Sequence, residues 1–312
     1  MTGNFFAHWL RRGRGIASVL FVCSSLVHPA LAATPDPAYD AFLLGNYLTA
    51  LKEAEKAAAA GDPAAHTLLG ELYSKGLGVA KDLPAAARWY DKAARLGDAN
   101  AQLALGLMLV DGAGVRQDRA RAADLFEQAA KGGLPSAQYN LALLYVEGRV
   151  RKLDFRAAAT WLQKAAEQEH AQAQYDLAGL YDQGSGVTRN PVKAVQWTKR
   201  AADLGLTAAQ IEFAIMQFNG KGVQKDEAGA IRLFTIAANK GNPVAQNRLA
   251  RIYAHGAGLK EDPLEAAKWH LLARDAGVSD FWLDLYMAKL SKDDRASAER
   301  AAKAWVLKQV GG

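Results

Sequence analysis

The side chains that could bind a metal are few and scattered in this sequence. Beyond the first thirty residues the histidines are His66, His170, His255 and His270, and none of them forms an H-x-x-x-H pair or lies near a cysteine. Because a metal site needs such ligands close together, this spacing predicts no metal site. We interpret His255 and His270 as ordinary packing or surface residues.

The common nucleophile and cofactor motifs do not occur either. The sequence contains no Ser-x-x-Lys stretch, no G-x-S-x-G elbow and no P-loop, and its repeated G-x-G lacks the third glycine and the flanking strand of a dinucleotide site. Carboxylates are plentiful, but they fall at predicted helix caps and exposed helix positions. A carboxylate pair of the kind that glycosidases use stays an alternative. The sequence predicts no catalytic residue, no cofactor and a protein that is not an enzyme.

One cluster of basic residues could bind a charged partner. It occupies two stretches on neighbouring predicted loops, GVRQDRAR and GRVRKLDFR. Two interpretations are open: a solvated edge partly offset by Asp118 and Asp154, or an electrostatic contact site for an acidic partner, a phospholipid surface or a polyanion. The residues of this predicted patch are Arg116, Arg119, Arg121, Arg149, Arg151, Lys152 and Arg156.

A repeat with a period of 36 residues organises the chain that carries these side chains. Glycine recurs at one position of the period, where Glu169 is the single departure, and tryptophan recurs at another. Six repeats fit between residues 63 and 278 without insertion. Such self-similarity is the signature of a stacked repeat protein. The glycines are Gly61, Gly97, Gly133, Gly205, Gly241 and Gly277, and the tryptophans are Trp89, Trp161, Trp197, Trp269 and Trp305.

Each repeat is predicted to form two helices joined by a loop. In the first helix, as in SAQYNLALLYVEG, small or apolar residues recur with helical spacing, and a glycine follows where a left-handed C-terminus is expected. The loop has the form G-x-G-V-x-x-D, and its last residue is expected to cap the second helix. The terminal glycines are Gly76, Gly112, Gly148, Gly184, Gly220 and Gly256; the caps are Asp82, Asp118, Asp154, Asn190, Asp226 and Asp262. Since one repeat cannot bury its apolar face alone, the repeats must stack.

These residues carry a family resemblance. The pattern L-[GA]-x-x-Y, G-x-G-V-x-x-D, A-x-x-W and AA-x-x-G is similar to that of Sel1-like repeats, the longer-looped relatives of tetratricopeptide repeats. The resemblance implies an all-α fold, a right-handed α-α superhelical solenoid. It also implies a non-enzymatic adaptor, because exported bacterial members include inhibitors of envelope sensor kinases and parts of polysaccharide-export machinery.

The first residues of the chain have the features of an export signal. Three arginines precede an apolar run that is shorter than the about 20 residues needed to span a bilayer, and Ala30 and Ala32 form an A-x-A cleavage site. We expect cleavage near Ala32 and a mature protein that is periplasmic or secreted. An uncleaved membrane anchor stays an alternative. The only cysteine, Cys23, lies in this segment, so the mature chain has no disulfide.

Charge and repeat boundaries complete the domain prediction. The chain has 38 basic and 32 acidic residues, and removal of the three leading arginines leaves a net charge of about +3. Such a mixed surface argues against nucleic acid as the main partner. We predict a signal peptide at 1–32, N-terminal capping helices at 33–62, six repeats at 63–278 and C-terminal capping helices at 279–312.

An apolar stripe is predicted on the concave wall of the stack. In LGLMLVDGAG, Leu107 and Val110 fall on the helix face that should meet water rather than the core. Either these side chains form a groove for a partner, or tight curvature makes them pack on one another across it. The predicted partner-binding residues are Leu103, Leu107, Val110, Tyr139, Leu143, Val146, Tyr175, Ile211, Ile215 and Phe218.

The sequence thus predicts an exported protein-protein interaction adaptor in the bacterial envelope. Its expected partner is another protein, an envelope sensor or an assembly component, with a segment laid in the apolar groove. Contact with an anionic surface through the basic edge is a further expectation, and no nucleic-acid partner is expected. Two alternatives stay open: an enzyme or ligand-binding protein that acts on cell-wall material, and a purely structural scaffold.

Overall fold

The computed structural model of the protein describes residues 36–310. The predicted signal peptide, its cleavage site and Cys23 lie outside the described residues. Within 36–310 the chain forms sixteen helices and no strand. They are α1 (Pro37–Leu43), α2 (Tyr47–Ala59), α3 (Pro63–Lys75), α4 (Leu83–Arg95), α5 (Ala99–Asp111), α6 (Arg119–Lys131), α7 (Pro135–Glu147), α8 (Phe155–Glu167), α9 (Ala171–Gln183), α10 (Pro191–Asp203), α11 (Thr207–Asn219), α12 (Glu227–Asn239), α13 (Pro243–His255), α14 (Pro263–Asp275), α15 (Phe281–Ala288) and α16 (Lys292–Val310).

The helices belong to two compact units. The N-terminal unit holds the chain up to residue 173 together with 184–188, and the C-terminal unit holds 174–183 and the chain from 189 onwards. Alanine supplies most of the buried apolar side chains in both units, so the helices pack closely. Larger side chains fill the remaining space, such as Phe126 in the N-terminal unit and Phe234 in the C-terminal unit.

The predicted ends of the helices are confirmed. The glycine after each first helix of a repeat has a positive φ, from 62° to 77°. Each predicted cap residue accepts a backbone N–H from the first turn of the following helix; Asp82, for example, accepts from Ala85 at 2.8 Å. Helix ends leave such backbone groups without intrahelical partners, so these side chains define where each second helix begins.

The second glycine of the loop allows successive repeats to touch. Gly78 has a φ of 69°, and a Cβ atom at this position would lie 2.7 Å from the backbone carbonyl of Tyr47. Gly114 approaches the backbone of Leu83 in the same way. The loop of one repeat therefore packs directly against the start of the second helix in the preceding pair, a contact that a larger residue would block.

Buried glutamines also join successive repeats. The Gln102 side chain donates a hydrogen bond to the backbone carbonyl of Ala94, and Gln138, Gln210 and Gln246 do the same eight residues back, at 3.2–3.3 Å. These carbonyls lie in the last turn of a helix, where no intrahelical N–H can reach them. In these four repeats the glutamine that follows the alanine is therefore a structural connector between helices.

The tryptophans of the repeat are covered by cations on the same helix. The Lys92 ammonium lies 4.0 Å from the Trp89 ring centroid, and Lys164 and Arg200 lie 4.2 and 4.6 Å from the rings of Trp161 and Trp197. Each cation follows its tryptophan by three residues, one helical turn. Cation–π contact of this kind adds about 0.5–1 kcal/mol at exposed sites. The W-x-x-[KR] spacing carried this signal, and the sequence analysis missed it.

A buried carboxylate joins α13 to α15. Asp280 is 8 % exposed; it accepts two hydrogen bonds from Arg251, at 2.7 and 2.8 Å, and one from Asn247 at 2.9 Å. It also caps α15 through the backbone N–H of Leu283. Burial alone would raise the pKa of Asp280, but the hydrogen bonds from Arg251, Asn247 and Leu283 outweigh it and lower the pKa to about 2. The last repeat and the C-terminal helices are thus joined by an ion pair.

Glu169, which stands where the other repeats have glycine, has an unusual backbone conformation. Glu169 has a φ of 61°, and no other non-glycine residue in 36–310 has a positive φ. The glycines at the equivalent positions have φ values from 80° to 93°. A side chain in the left-handed region costs about 1–3 kcal/mol. The turn between α8 and α9 is therefore strained where the other turns are relaxed.

We expect replacement of Glu169 by glycine to stabilise the protein by about 0.5–1 kcal/mol. The change relieves the left-handed strain, and the greater freedom of glycine in the unfolded chain cancels part of the gain. Chemical denaturation measures the difference. As a matched control, Glu167→Gly places a glycine within helical backbone and should destabilise by about 1 kcal/mol. Destabilisation by both variants would show that the Glu169 side chain stabilises the turn by contacts that offset its strain.

Candidate functional site

Half-buried apolar side chains line one face of the first helices in the N-terminal unit. Leu103 and Leu107 lie on α5, and Tyr139, Leu143 and Val146 lie on α7; all five are half-buried. We call these five residues the apolar row. Leu103 and Leu107 pack in part against the core of the unit, which limits the surface that they offer to a partner. Each of the five side chains keeps some exposed surface, and packing against the core covers part of Leu103 and Leu107.

The prediction that Val110 faces a partner is wrong. Val110 is 2 % exposed and belongs to the core cluster of α4, α5, α6 and α7. Its carbonyl accepts a hydrogen bond from the Gln117 side chain at 2.6 Å, so the loop folds back against the end of α5. Helical spacing places Val110 on the same face as Leu107, yet its side chain packs in the core of the unit.

The corresponding residues of the C-terminal unit make more contacts within the protein itself. Ile211 is buried at 8 % exposure and belongs to the core, so the prediction that it binds a partner is wrong. Ile215 and Phe218 are half-buried and pack against the same core. The Tyr175 hydroxyl donates a hydrogen bond to Glu212 at 2.7 Å, which occupies the polar end of that side chain. This surface offers less apolar area to a partner than the apolar row.

One end of the apolar row lies against a histidine. The imidazole of His170 stacks on the Tyr139 ring with 4.8 Å between centroids, and its Nδ1 accepts the backbone N–H of Ala173 at 3.1 Å. His170 thereby caps α9, as aspartate and asparagine do at equivalent turns. Burial lowers the pKa of His170, so the neutral form that can accept this hydrogen bond is favoured.

Two residues of the predicted basic patch form ion pairs with neighbouring helices. Arg121 pairs with Asp91 on α4. Arg151 lies between Asp124 and Glu127 of α6, at 2.6 and 3.1 Å. These hydrogen bonds, to Asp124 first, raise the pKa of Arg151. Both arginines therefore join one repeat to the previous one, and only part of their charge is available to a partner.

The rest of the predicted basic patch remains open. Within residues 36–310, the other five members form no ion pair, and all but Arg119 are exposed. Asp118 and Asp154 lie among them, but their carboxylates accept backbone N–H groups at the starts of α6 and α8. The five are Arg116, Arg119, Arg149, Lys152 and Arg156.

The histidines are placed as packing residues. His270 is fully buried, with its Nε2 atom 2.7 Å from the Asp284 carboxylate, and His255 stacks on the Trp282 ring at 4.3 Å. Within the described part of the chain, no group of three or more histidine, cysteine or acidic side chains is arranged to hold a metal ion. No helix in 36–310 has both the length and the apolar character that crossing a bilayer requires.

Comparison with known families identifies the repeats. The Sel1 repeat family matches six consecutive stretches of the chain, at 63–98, 99–134, 135–170, 171–206, 207–242 and 243–278. The chain belongs to the Sel1 repeat family. The six tandem Sel1 repeats predicted from the sequence are confirmed, and each comprises two of the helices α3 to α14.

Solved structures place the Sel1 repeats in an α-solenoid. The chain is similar to a Sel1 repeat protein from Oxalobacter formigenes, with 34 % identity over 77 % of this chain and 98 % of the other, and a TM-score of 0.70. It also resembles a protective antigen present in uropathogenic Escherichia coli strains that displays an SLR fold. There the identity is 30 %, over 88 % of this chain and 68 % of the antigen, with a TM-score of 0.58. No curated protein sequence matches the chain.

The family supports the general function predicted from the sequence. Sel1 repeat proteins are generally scaffolds for protein interaction, and their fold is typically non-catalytic. Two acidic residues, Glu212 and Asp280, accept hydrogen bonds from Tyr175 and Arg251 on the first helices of their repeats. The sequence analysis singled out neither of them. Each is paired with a residue at least 29 positions away, so local spacing gave no signal for either contact.

Proposed function

We propose that this Sel1 repeat protein is an adaptor that binds a segment of another protein along the apolar row. The observation that carries the proposal is the half-buried state of Leu103, Leu107, Leu143 and Val146 on two successive first helices. Side chains with partial exposure can bury further area on association, and apolar anchors near the centre of an interface contribute most of its affinity. An extended or helical segment fits a row of this kind.

The proposed setting is the bacterial envelope. The arginines at the start of the chain, the short apolar run and the A-x-A site favour export, with the mature protein beginning at Ala33. The exported bacterial members that this chain resembles include inhibitors of envelope sensor kinases and parts of polysaccharide-export machinery, so a partner of that class fits the resemblance. The proposal of export is independent of the apolar row, since the two rest on different parts of the chain.

Leu143→Asp should abolish capture of the partner while the protein stays folded. Each apolar anchor contributes about 2 kcal/mol or more, so affinity should fall by roughly 30-fold or more. Because Leu143 is half-buried, we expect stability to fall by only about 1 kcal/mol. The experiment compares proteins captured from envelope extract by the purified wild type and the variant, together with both melting temperatures. Leu107→Asp serves as an independent variant on α5.

Leu96→Asp is the matched control for this experiment. Leu96 is 55 % exposed and lies at the end of α4, outside the apolar row, so the same change there should affect neither capture nor folding. If Leu143→Asp instead lowers the melting temperature strongly and capture falls only with the folded fraction, the row is packing surface. If every variant captures the partner fully, the partner binds elsewhere.

A further inference from the structure

The loops between paired helices lie side by side at one edge of the N-terminal unit. Each joins the end of a first helix to the start of a second helix, at 44–46, 76–82, 112–118 and 148–154. We call these four loops, with the first two residues of the helices that follow them, the connection edge. The close approach of Gly78 to Tyr47 and of Gly114 to Leu83 shows that neighbouring loops are in contact with neighbouring helix starts. The ion pairs of Arg151 with α6 continue this contact to the last loop.

The connection edge carries unpaired cations. Lys81 joins the five open members of the basic patch here, and within the described residues none of the six forms an ion pair. The aspartates of the edge, Asp82, Asp118 and Asp154, accept backbone N–H groups and so are directed at helix starts. The outward charge of the edge is therefore positive.

The same edge exposes leucine side chains. Leu153 lies between Lys152 and Asp154 and is 52 % exposed, and Leu44 and Leu48 in the first loop and helix start are still more exposed. A shallow, open depression of about 660 Å³ lies here; it is lined by Lys81 and Asp82 together with the apolar residues Tyr73, Val79, Ala80, Leu83 and Pro84. The edge therefore presents exposed leucines as well as unpaired cations to a partner.

We propose that the connection edge of the N-terminal unit docks on an anionic phospholipid surface. The phosphates of the lipid headgroups attract the arginines and lysines, and the leucines enter the boundary between headgroups and acyl chains. A polyanion would use the cations but offers no apolar layer for Leu44, Leu48 and Leu153. A bilayer supplies both. This contact uses the loops, whereas the apolar row lies on the first helices, so each proposal can fail without the other.

The test is flotation of the purified protein with lipid vesicles. The wild type should float with phosphatidylcholine vesicles that contain phosphatidylglycerol and should stay behind with phosphatidylcholine alone. Added salt should reduce the binding, because the cations act through a screened surface potential. Failure of the wild type to float with the anionic vesicles overturns the proposal.

Two sets of variants locate the contact. Arg149→Gln/Lys152→Gln/Arg156→Gln should lower the partition coefficient about 100-fold, at about fivefold for each cation removed. The matched control, Lys240→Gln/Arg248→Gln/Arg274→Gln, removes three exposed cations of the C-terminal unit and changes the net charge equally, so it should lower binding by less than about threefold. Equal losses in the two triple variants would overturn the proposal.

The leucines distinguish a lipid surface from another anion. Leu153→Ser should weaken vesicle binding about fivefold, because one side chain no longer enters the interface. Leu96→Ser is the control, since Leu96 is exposed to a similar degree, 55 % against 52 %, but lies at the end of α4 away from the connection edge. If Leu153→Ser binds as tightly as Leu96→Ser, the leucines do not insert and a bilayer is not the ligand of this edge. Circular dichroism of each variant establishes that it is folded.

Discussion

Asp280→Ala should destabilise the C-terminal unit by about 2–4 kcal/mol. The change leaves the Arg251 guanidinium and the Asn247 amide without their acceptor and removes the cap of α15 at the same time. Hydrogen bonds to a charged group contribute about 1.5–3 kcal/mol and the cap about 1 kcal/mol. The larger cost of a stranded buried charge does not apply, because the Arg251 side chain is 40 % exposed and water can reach it. Chemical denaturation followed by circular dichroism gives the free energy of unfolding.

Asp262→Ala is the matched control for the role of the cap. Asp262 caps α14 through the backbone N–H groups of Leu264 and Glu265, and no arginine is bonded to it. Its removal should therefore cost only about 1 kcal/mol, the usual value of an N-cap. Equal costs for Asp262→Ala and Asp280→Ala would mean that the ion pair adds nothing to the cap.

A double-mutant cycle isolates the ion pair. Arg251→Leu places at this position the residue type that Leu107 and Leu143 supply in earlier repeats, so it adds no polar group. The cost of the double variant Arg251→Leu/Asp280→Ala should fall short of the sum of the single costs by about 1–3 kcal/mol. Additive costs would show that Arg251 and Asp280 are not coupled.

The same carboxylate predicts how stability depends on pH. The pKa of Asp280 is lowered from its ordinary value of 3.8 to about 2 in the folded protein, so the unfolded chain binds the proton first as pH falls. The stabilisation is therefore complete above the unfolded value of 3.8 and is lost as pH falls towards 2. By linkage it amounts to about 2 kcal/mol. Asp280→Ala should flatten this part of the stability curve, whereas Asp262→Ala should leave it unchanged.

The sequence predicted the repeats because their signals are local. The glycine after each first helix and the aspartate before each second helix act on backbone groups within a few residues, so a single repeat contains all the information that they need. Glu169 supports the same point, because it is the exception to the pattern. The one departure from the glycine position is also the one non-glycine residue in the described chain with a positive φ.

The sequence could not predict how much of each first-helix face is covered. Val110 and Val146 occupy equivalent positions, 36 residues apart, yet Val110 is buried and Val146 is half-buried. The loop after α5 carries Gln117, which bonds back to Val110, whereas Leu153 takes that position in the loop after α7. The helical pattern is the same at both positions, so it does not fix how far each side chain is buried. The ion pair of Arg251 with Asp280 was missed for a related reason, since Asp280 lies where the repeat pattern ends.

Phe126→Ala should cost about 3–5 kcal/mol and should loosen more than its own helix. Phe126 is fully buried, and a methyl group on Gly106 would lie only 2.5 Å from its ring, so α5 packs directly on the aromatic face. Truncation removes the buried ring and leaves a cavity that close-packed helices fill poorly. Phe281→Ala is the matched control, since Phe281 is 76 % exposed and the same truncation there should change stability by at most about 0.5 kcal/mol.

Hydrogen exchange distinguishes a coupled stack from independent helix pairs. The core around Phe126 includes Tyr90 of α4, Leu105 of α5 and Leu141 of α7, so three repeats share one apolar cluster. Because a repeat protein is stabilised by the interfaces between neighbours, loss of the ring should lower amide protection in α4, α5 and α7 together with α6. Faster exchange confined to α5 and α6 would mean that each helix pair is stable by itself. Such a result would contradict the stacking that the 36-residue period predicts, since a pair that buries its own apolar face needs no neighbour.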